Sequence, residues 1–164
     1  MPVVNKILLI GIGNSGRGDD GLGGRFIEEL ENFGCDFLDC EFRYQLQIED
    51  AELISHYDTV IFVDASHSKH NNGFEIKGCV PSDQVFFTTH AQLPDAILHL
   101  TKQLYPKCPN AYTLAISGAE WELNTCLSSE AENNLEAALY QFKNEFLPAI
   151  RRGNVLDKPY HILY

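Results

Sequence analysis

Residues 6–24, reading KILLIGIGNSGRGDDGLGG, constrain the fold of this chain more than any other stretch. An apolar run of strand type over residues 6–12 passes directly into a glycine turn. Over residues 20–32 the spacing of Leu22, Phe26, Ile27 and Leu30 then predicts one buried face of a helix, with Gly34 as its stop. A strand apolar on consecutive positions must be covered on both faces, which points to a mainly parallel sheet. The remaining chain continues the alternation. Residues 36–42, 59–65 (TVIFVDA), 74–80, 85–88 and 111–117 (AYTLAIS) read as strands. Residues 48–56, 93–104 and 128–150 read as helices, the last with Ser129 and Glu132 near its start and Leu135, Leu139, Phe142 and Phe146 on one face. The expectation is one domain over residues 1–164: a three-layer α/β/α sandwich around a twisted, mostly parallel sheet of about five strands.

Composition removes several classes of function. A net charge of -11 argues against nucleic acid or an anionic membrane as partner. No apolar run has the length of a membrane span. The opening MPVVNKILLIGIGN carries no A-x-A-like cleavage site and reads as the first strand. The cysteines, Cys35, Cys40, Cys79, Cys108 and Cys126, are odd in number, widely spaced and without a C-x-x-C pair. They read as reduced thiols of a cytoplasmic protein, with no structural zinc site.

The glycine turn invites a phosphate-binding reading. Gly11, Gly13 and Gly16 spell G-x-G-x-x-G between strand and helix, and Asp39 lies near strand two, where a ribose-binding acid belongs. Against it, Asp19 and Asp20 stand where the helix N-terminus would attract a pyrophosphate. Each carboxylate would oppose a nearby phosphate by about 1–4 kcal/mol. The glycines also continue through Gly18, Gly21, Gly23 and Gly24, as in a tightly bent loop that presents acids.

Parallel sheets place their sites past the carboxyl ends of their strands. That rule selects Asp20 after strand one, Asp64 at the end of TVIFVD and His90 in TTHAQLP. Two carboxylates and an imidazole suit a divalent transition metal, and equally suit acid–base work on a water. Each also has a plainer reading: Asp64 as a cap, His90 as a helix-entry residue, and Asp19 as the structural cap that leaves Asp20 to act. His67 and His70, in SHSKHNNG, read as loop residues, while His56, His99 and His161 have no partner visible in the sequence. Trp121 fits either core or a partner-facing surface. Neither H-E-x-x-H nor G-x-S-x-G occurs.

Taken together, G-x-G-N, G-D-D-G-x-G, VDA at Asp64 and THAQLP at His90 resemble the hydrogenase maturation proteases, the endopeptidases that trim the C-terminal extension of nickel–iron hydrogenase large subunits. The likeness spans most of the chain. The segment RYQLQIEDA departs from the D-G-G-T of many members. With TTHAQL and SGAEWELN it looks more like the branch serving soluble, NAD-reducing-type hydrogenases. The resemblance implies an α/β/α fold and a metal-binding, substrate-facing site of Asp20, Asp64 and His90, with Asp20 one methylene shorter than the Glu of many relatives. It implies that Asn14 shapes the loop and that Gln45 lines the cleft. The implied partner is a large-subunit precursor, cleaved after nickel insertion. The resemblance further implies that the nickel is sensed in that precursor and not permanently bound, with no organic cofactor. Two other classes stay open: a nucleotide-binding oxidoreductase or regulator, and a non-catalytic nickel metallochaperone.

Overall fold

Strand β1 (Ile7–Ile12) pairs in parallel with β2 (Leu38–Arg43) on one side and β3 (Thr59–Ser66) on the other. The computed structural model describes residues 5–34, 36–83 and 93–153. Beyond β3 lies β5 (Asn110–Ser117), again parallel, and β4 (Phe74–Cys79) closes the edge antiparallel to β5. The order is β2-β1-β3-β5-β4. Five strands with one antiparallel edge match the expected sheet. Strand β3 runs two residues beyond Asp64, so that carboxylate sits in register with Ala115 inside the strand and not at its tip. Residues 85–88, read as a strand, lie outside the described residues.

Alternation within each strand builds two cores. Ile7, Leu9, Ile61, Val63, Leu114 and Ile116 face one layer, where they meet α1 (Leu22–Phe33) and α4 (Ser129–Gln141). Leu8, Ile10, Val60 and Phe62 face the other, where they meet α2 (Asp50–Ile54) and α3 (Pro94–Leu104). Helix α1 buries Leu22, Phe26, Ile27 and Leu30, the face read from the sequence, and ends at Gly34 with φ 77°. Burial of four such side chains stabilises that contact by about 6–12 kcal/mol before entropy is counted.

The final helix differs from the expected single span. Its N-cap is Ser128, the first residue of the expected span, whose hydroxyl accepts from the Ala131 N–H at 3.1 Å. Its middle widens to a π turn over Phe142–Phe146 before α5 (Leu147–Arg151). Pro148, in the first turn of α5, has no N–H to donate back to the preceding turn. The Leu147 N–H instead reaches Phe142, five residues back. No helix among the described residues is long and apolar enough to cross a membrane.

Candidate active site

The chain leaves β1 through a turn that only glycine permits. Gly13 has φ 139°, and a Cβ there would lie 2.1 Å from the Asp20 carbonyl oxygen. The Gly13 N–H donates to Arg43 O at 3.0 Å, tying the turn to the end of β2. Asn14 organises the loop: its Oδ1 accepts from Gly16 N at 2.8 Å, its Nδ2 donates to the Tyr44 hydroxyl, and its own N–H donates to Asp20 Oδ2 at 2.8 Å. A short 3-10 turn (Gly18–Gly21) then delivers the chain into α1.

The two neighbouring aspartates part ways here. Asp19 is fully buried and structural, but it does not cap its own helix. Its carboxylate accepts from Ala119 N at 2.7 Å, Glu120 N at 2.8 Å, Ser128 N at 2.8 Å and Ser128 Oγ at 2.7 Å. It therefore pins the segment after β5 and the head of α4 to the glycine loop. Burial by itself would raise this carboxyl. The hydrogen bonds from Ala119, Ser128 and Glu120 outweigh burial and hold it below the ordinary carboxylate range.

Asp20 turns the other way, half-buried, into a cleft of about 330 Å³. Asp64, Asn14 and Gln45 line the same cleft, so all four described residues expected at the site meet there. His90, the fifth, lies outside the described residues. Asp64 Oδ1 accepts from the Ala65 N–H at 2.8 Å. Its side chain opens to solvent, yet protein surrounds it closely enough to strip part of its hydration. This desolvation pushes its carboxyl up to about 7, with the Ala65 N–H opposing and the Asp20 charge adding to the rise. The solvent contact means that the shift comes from the walls of the cleft and not from enclosure. An acid that exchanges its proton near neutrality, beside a second carboxylate, is equipped for proton transfer and for holding a cation. Among the described residues no three His, Cys, Asp or Glu side chains converge as a metal-binding group.

The cleft also holds residues that the sequence did not single out: Arg17, Tyr44, Leu46, Leu93 and Pro94. Tyr44 follows the last residue of β2, so the carboxyl-end rule would have found it had strand two been given a site residue of its own. Arg17 lies inside the recognised glycine loop, but sequence gives no sign of which loop side chain faces the cleft. Trp121 is half-buried and stacks on His67 with ring centroids 3.7 Å apart. His70 is a loop residue, bonded through Nε2 to Ser66 Oγ at 3.0 Å.

Asp39 corrects the dinucleotide reading. It is the second residue of β2, in register with Leu8, whereas the glycine loop starts beyond Ile12. Four residues of strand separate them, about 13 Å. Asp39 instead accepts from the Tyr57 hydroxyl at 2.7 Å, at the far end of the sheet.

Solved structures share this fold over nearly the whole chain. The hydrogenase maturating endopeptidase HybD from E. coli aligns with TM-score 0.66 and 24% identity, covering 94% of this chain and 97% of that one. The [NiFe] hydrogenase maturation protease HycI from Thermococcus kodakarensis aligns with TM-score 0.63 and 22% identity, covering 93% and 96%. An endopeptidase from Escherichia coli, solved in solution, aligns with TM-score 0.67 and 24% identity, covering 94% and 97%. No protein-family model and no curated sequence matches the chain. At these identities the comparisons establish a shared fold.

Proposed function

We propose that this chain is a hydrogenase maturation endopeptidase, which removes the C-terminal extension of a nickel–iron hydrogenase large-subunit precursor after nickel insertion. The observation that carries the proposal is the meeting of Asp20 and Asp64 in one cleft at the carboxyl ends of β1 and β3. It is supported by a fold shared with hydrogenase maturation endopeptidases. His90 is the third member of the proposed site. It stands three residues before Leu93 in the sequence, and Leu93 lines the cleft. The thiols of Cys108 and Cys126 form no disulfide, which supports a cytoplasmic setting.

In this reading the nickel arrives with the substrate. Two carboxylates and an imidazole offer it oxygen and nitrogen donors, and its capture places the scissile bond over the cleft. The site carboxylate that the nickel leaves uncoordinated then serves both halves of the hydrolysis. As carboxylate it takes a proton from the attacking water as the C–O bond forms. As acid it returns that proton to the departing amine nitrogen as the C–N bond breaks.

The test is incubation with the nickel-loaded precursor, read by intact mass. The wild type releases the C-terminal extension. Asp20→Asn, Asp64→Asn and His90→Ala each lower the rate by at least about a hundredfold while the far-ultraviolet circular dichroism is kept. A wild type that binds the nickel-loaded precursor but leaves it intact would establish the metallochaperone reading instead. Tight NAD(H) binding that survives Asp20→Asn would return the nucleotide reading.

A further inference from the structure

Arg17 is the one basic residue among the described residues that line the cleft, and its backbone is held on every side. Its N–H donates to Asn14 O at 3.1 Å, and its carbonyl accepts from Asp20 N at 3.1 Å. It is bridged to Asn124, with Gly18 N donating to Asn124 O at 2.8 Å and Asn124 N to Gly16 O at 3.1 Å. The side chain is treated differently. It is exposed, and its guanidinium makes no hydrogen bond or ion pair with a described residue. Three of the four other arginines of this acidic chain are engaged, and the fourth, Arg152, does not line the cleft. Arg25 pairs with Glu28, Glu29 and Glu132, Arg43 pairs with Glu41 and Asp50, and Arg151 lies over the Phe37 ring. Arg17 shares a cleft with Asp20 and Asp64 and pairs with neither.

We infer that Arg17 is a substrate-specificity residue, pairing with a carboxylate on the peptide segment that enters the cleft. The inference rests on the endopeptidase reading for its substrate. Two acids facing a cleft, in a protein of net charge -11, repel any acidic group of an incoming peptide. A guanidinium fixed at its root and, among the described residues, unpaired at its tip reverses that repulsion at one place. Its planar fork matches a carboxylate with two parallel hydrogen bonds, which a lysine cannot copy. The anchored loop supplies the pre-organisation that such recognition needs. The carboxylate has two possible sources, an acidic side chain near the scissile bond or the C-terminal carboxylate of the extension.

The experiment measures steady-state cleavage of the nickel-loaded precursor, together with binding of a fluorescent peptide spanning its cleavage region. Arg17→Gln raises KM and the peptide Kd about tenfold and leaves kcat within about twofold. Arg17→Lys recovers only part of the loss. Replacing each substrate acid near the scissile bond by its amide, one at a time, weakens wild-type binding at one position and leaves Arg17→Gln unaffected there. If no side chain responds and amidation of the C-terminus does, the terminal carboxylate is the ligand. A lysine at the responding side-chain position is bound better by Arg17→Glu than by wild type. Unchanged KM and Kd in Arg17→Gln and Arg17→Glu, with wild-type cleavage intact, overturn the inference. Arg17-dependent peptide binding in a wild type that never cleaves sustains the inference and overturns the endopeptidase reading.

Discussion

Replacing Asp19 by alanine tests the physical account of the site where it is most quantitative. The carboxylate is fully buried and takes four hydrogen bonds, three of them from backbone N–H groups of Ala119, Glu120 and Ser128. Truncation removes the acceptor and leaves those donors unmatched. Each buried, unsatisfied donor costs about 1–3 kcal/mol. Ala119 and Glu120 are exposed, so water re-solvates part of the loss, while Ser128 is also the N-cap of α4. The expected destabilisation is about 3–5 kcal/mol, which for a chain of this size lowers Tm by about 6–20 °C. Asp19→Asn keeps the volume and one acceptor oxygen but turns an NH2 toward donors, and costs about half as much. The pH dependence has a definite sign. A carboxyl held below its ordinary value in the folded state adds stability that is present above the unfolded pKa and lost as pH falls through the folded one. The gap between wild type and Asp19→Asn is therefore full at pH 7 and closes progressively below about pH 4. Urea unfolding followed by circular dichroism at pH 7, 5, 4 and 3 measures it. A loss under about 1 kcal/mol for Asp19→Ala at pH 7, or a gap that does not close in acid, refutes the reasoning.

Asp64 carries the opposite sign. Its carboxyl is raised to about 7, so its stabilising contribution is present below the unfolded pKa and lost as pH rises through 7. Asp64→Asn should melt at the wild-type temperature near pH 4 and above it at pH 8, in calorimetry at both pH values, while abolishing cleavage. Gly23→Ala would bring a Cβ within 2.5 Å of Ile12 O and 2.7 Å of Val63 O. Lifting α1 off the sheet is expected to cost about 3 kcal/mol or more in urea unfolding. Gly13→Ala strains a backbone at φ 139° and displaces Asp20, 2.1 Å from the new Cβ. It should abolish precursor cleavage while the far-ultraviolet spectrum stays native.

The strands were legible because their apolar runs are continuous and bounded by turn residues. Burial on both faces of β1 and β3 demands that pattern. The carboxyl-end rule then brought Asp20 and Asp64 to one cleft, although they are far apart in the chain. Other features depend on partners that local sequence does not carry. Asp19 looked like a helix cap because its true donors, at residues 119, 120 and 128, are about a hundred positions away. The start of the last helix was legible, since residue 128 is its N-cap, but the π turn inside it was not. The strand order, with β5 inserted between β3 and β4, follows from packing and not from alternation. Arg17 escaped notice because its distinguishing property is a guanidinium without a partner among the described residues, visible only once the other side chains are placed.

The glycine loop decides between anion and cation through its amides. A phosphate cradle requires backbone N–H groups that point outward and lack partners. Here Gly13 N is bound to Arg43 O, Asn14 N to Asp20 Oδ2 and Gly16 N to Asn14 Oδ1. Arg17 N is bound to Asn14 O, Gly18 N to Asn124 O, Asp19 N to Glu120 O and Asp20 N to Arg17 O. Seven of the eight amides from Gly13 to Asp20 are thus spent on shaping the loop. One of them is spent on the Asp20 carboxylate, which fixes that acid's direction into the cleft. The glycines serve the same end by close approach: a Cβ on Gly11 would meet Gly23 O at 2.5 Å, so α1 lies against β1 with its first turn at the cleft. A loop that turns its amides inward and a carboxylate outward has been built to receive a positive centre. That geometry disfavours a nucleotide phosphate and is consistent with the metal-bearing substrate proposed above.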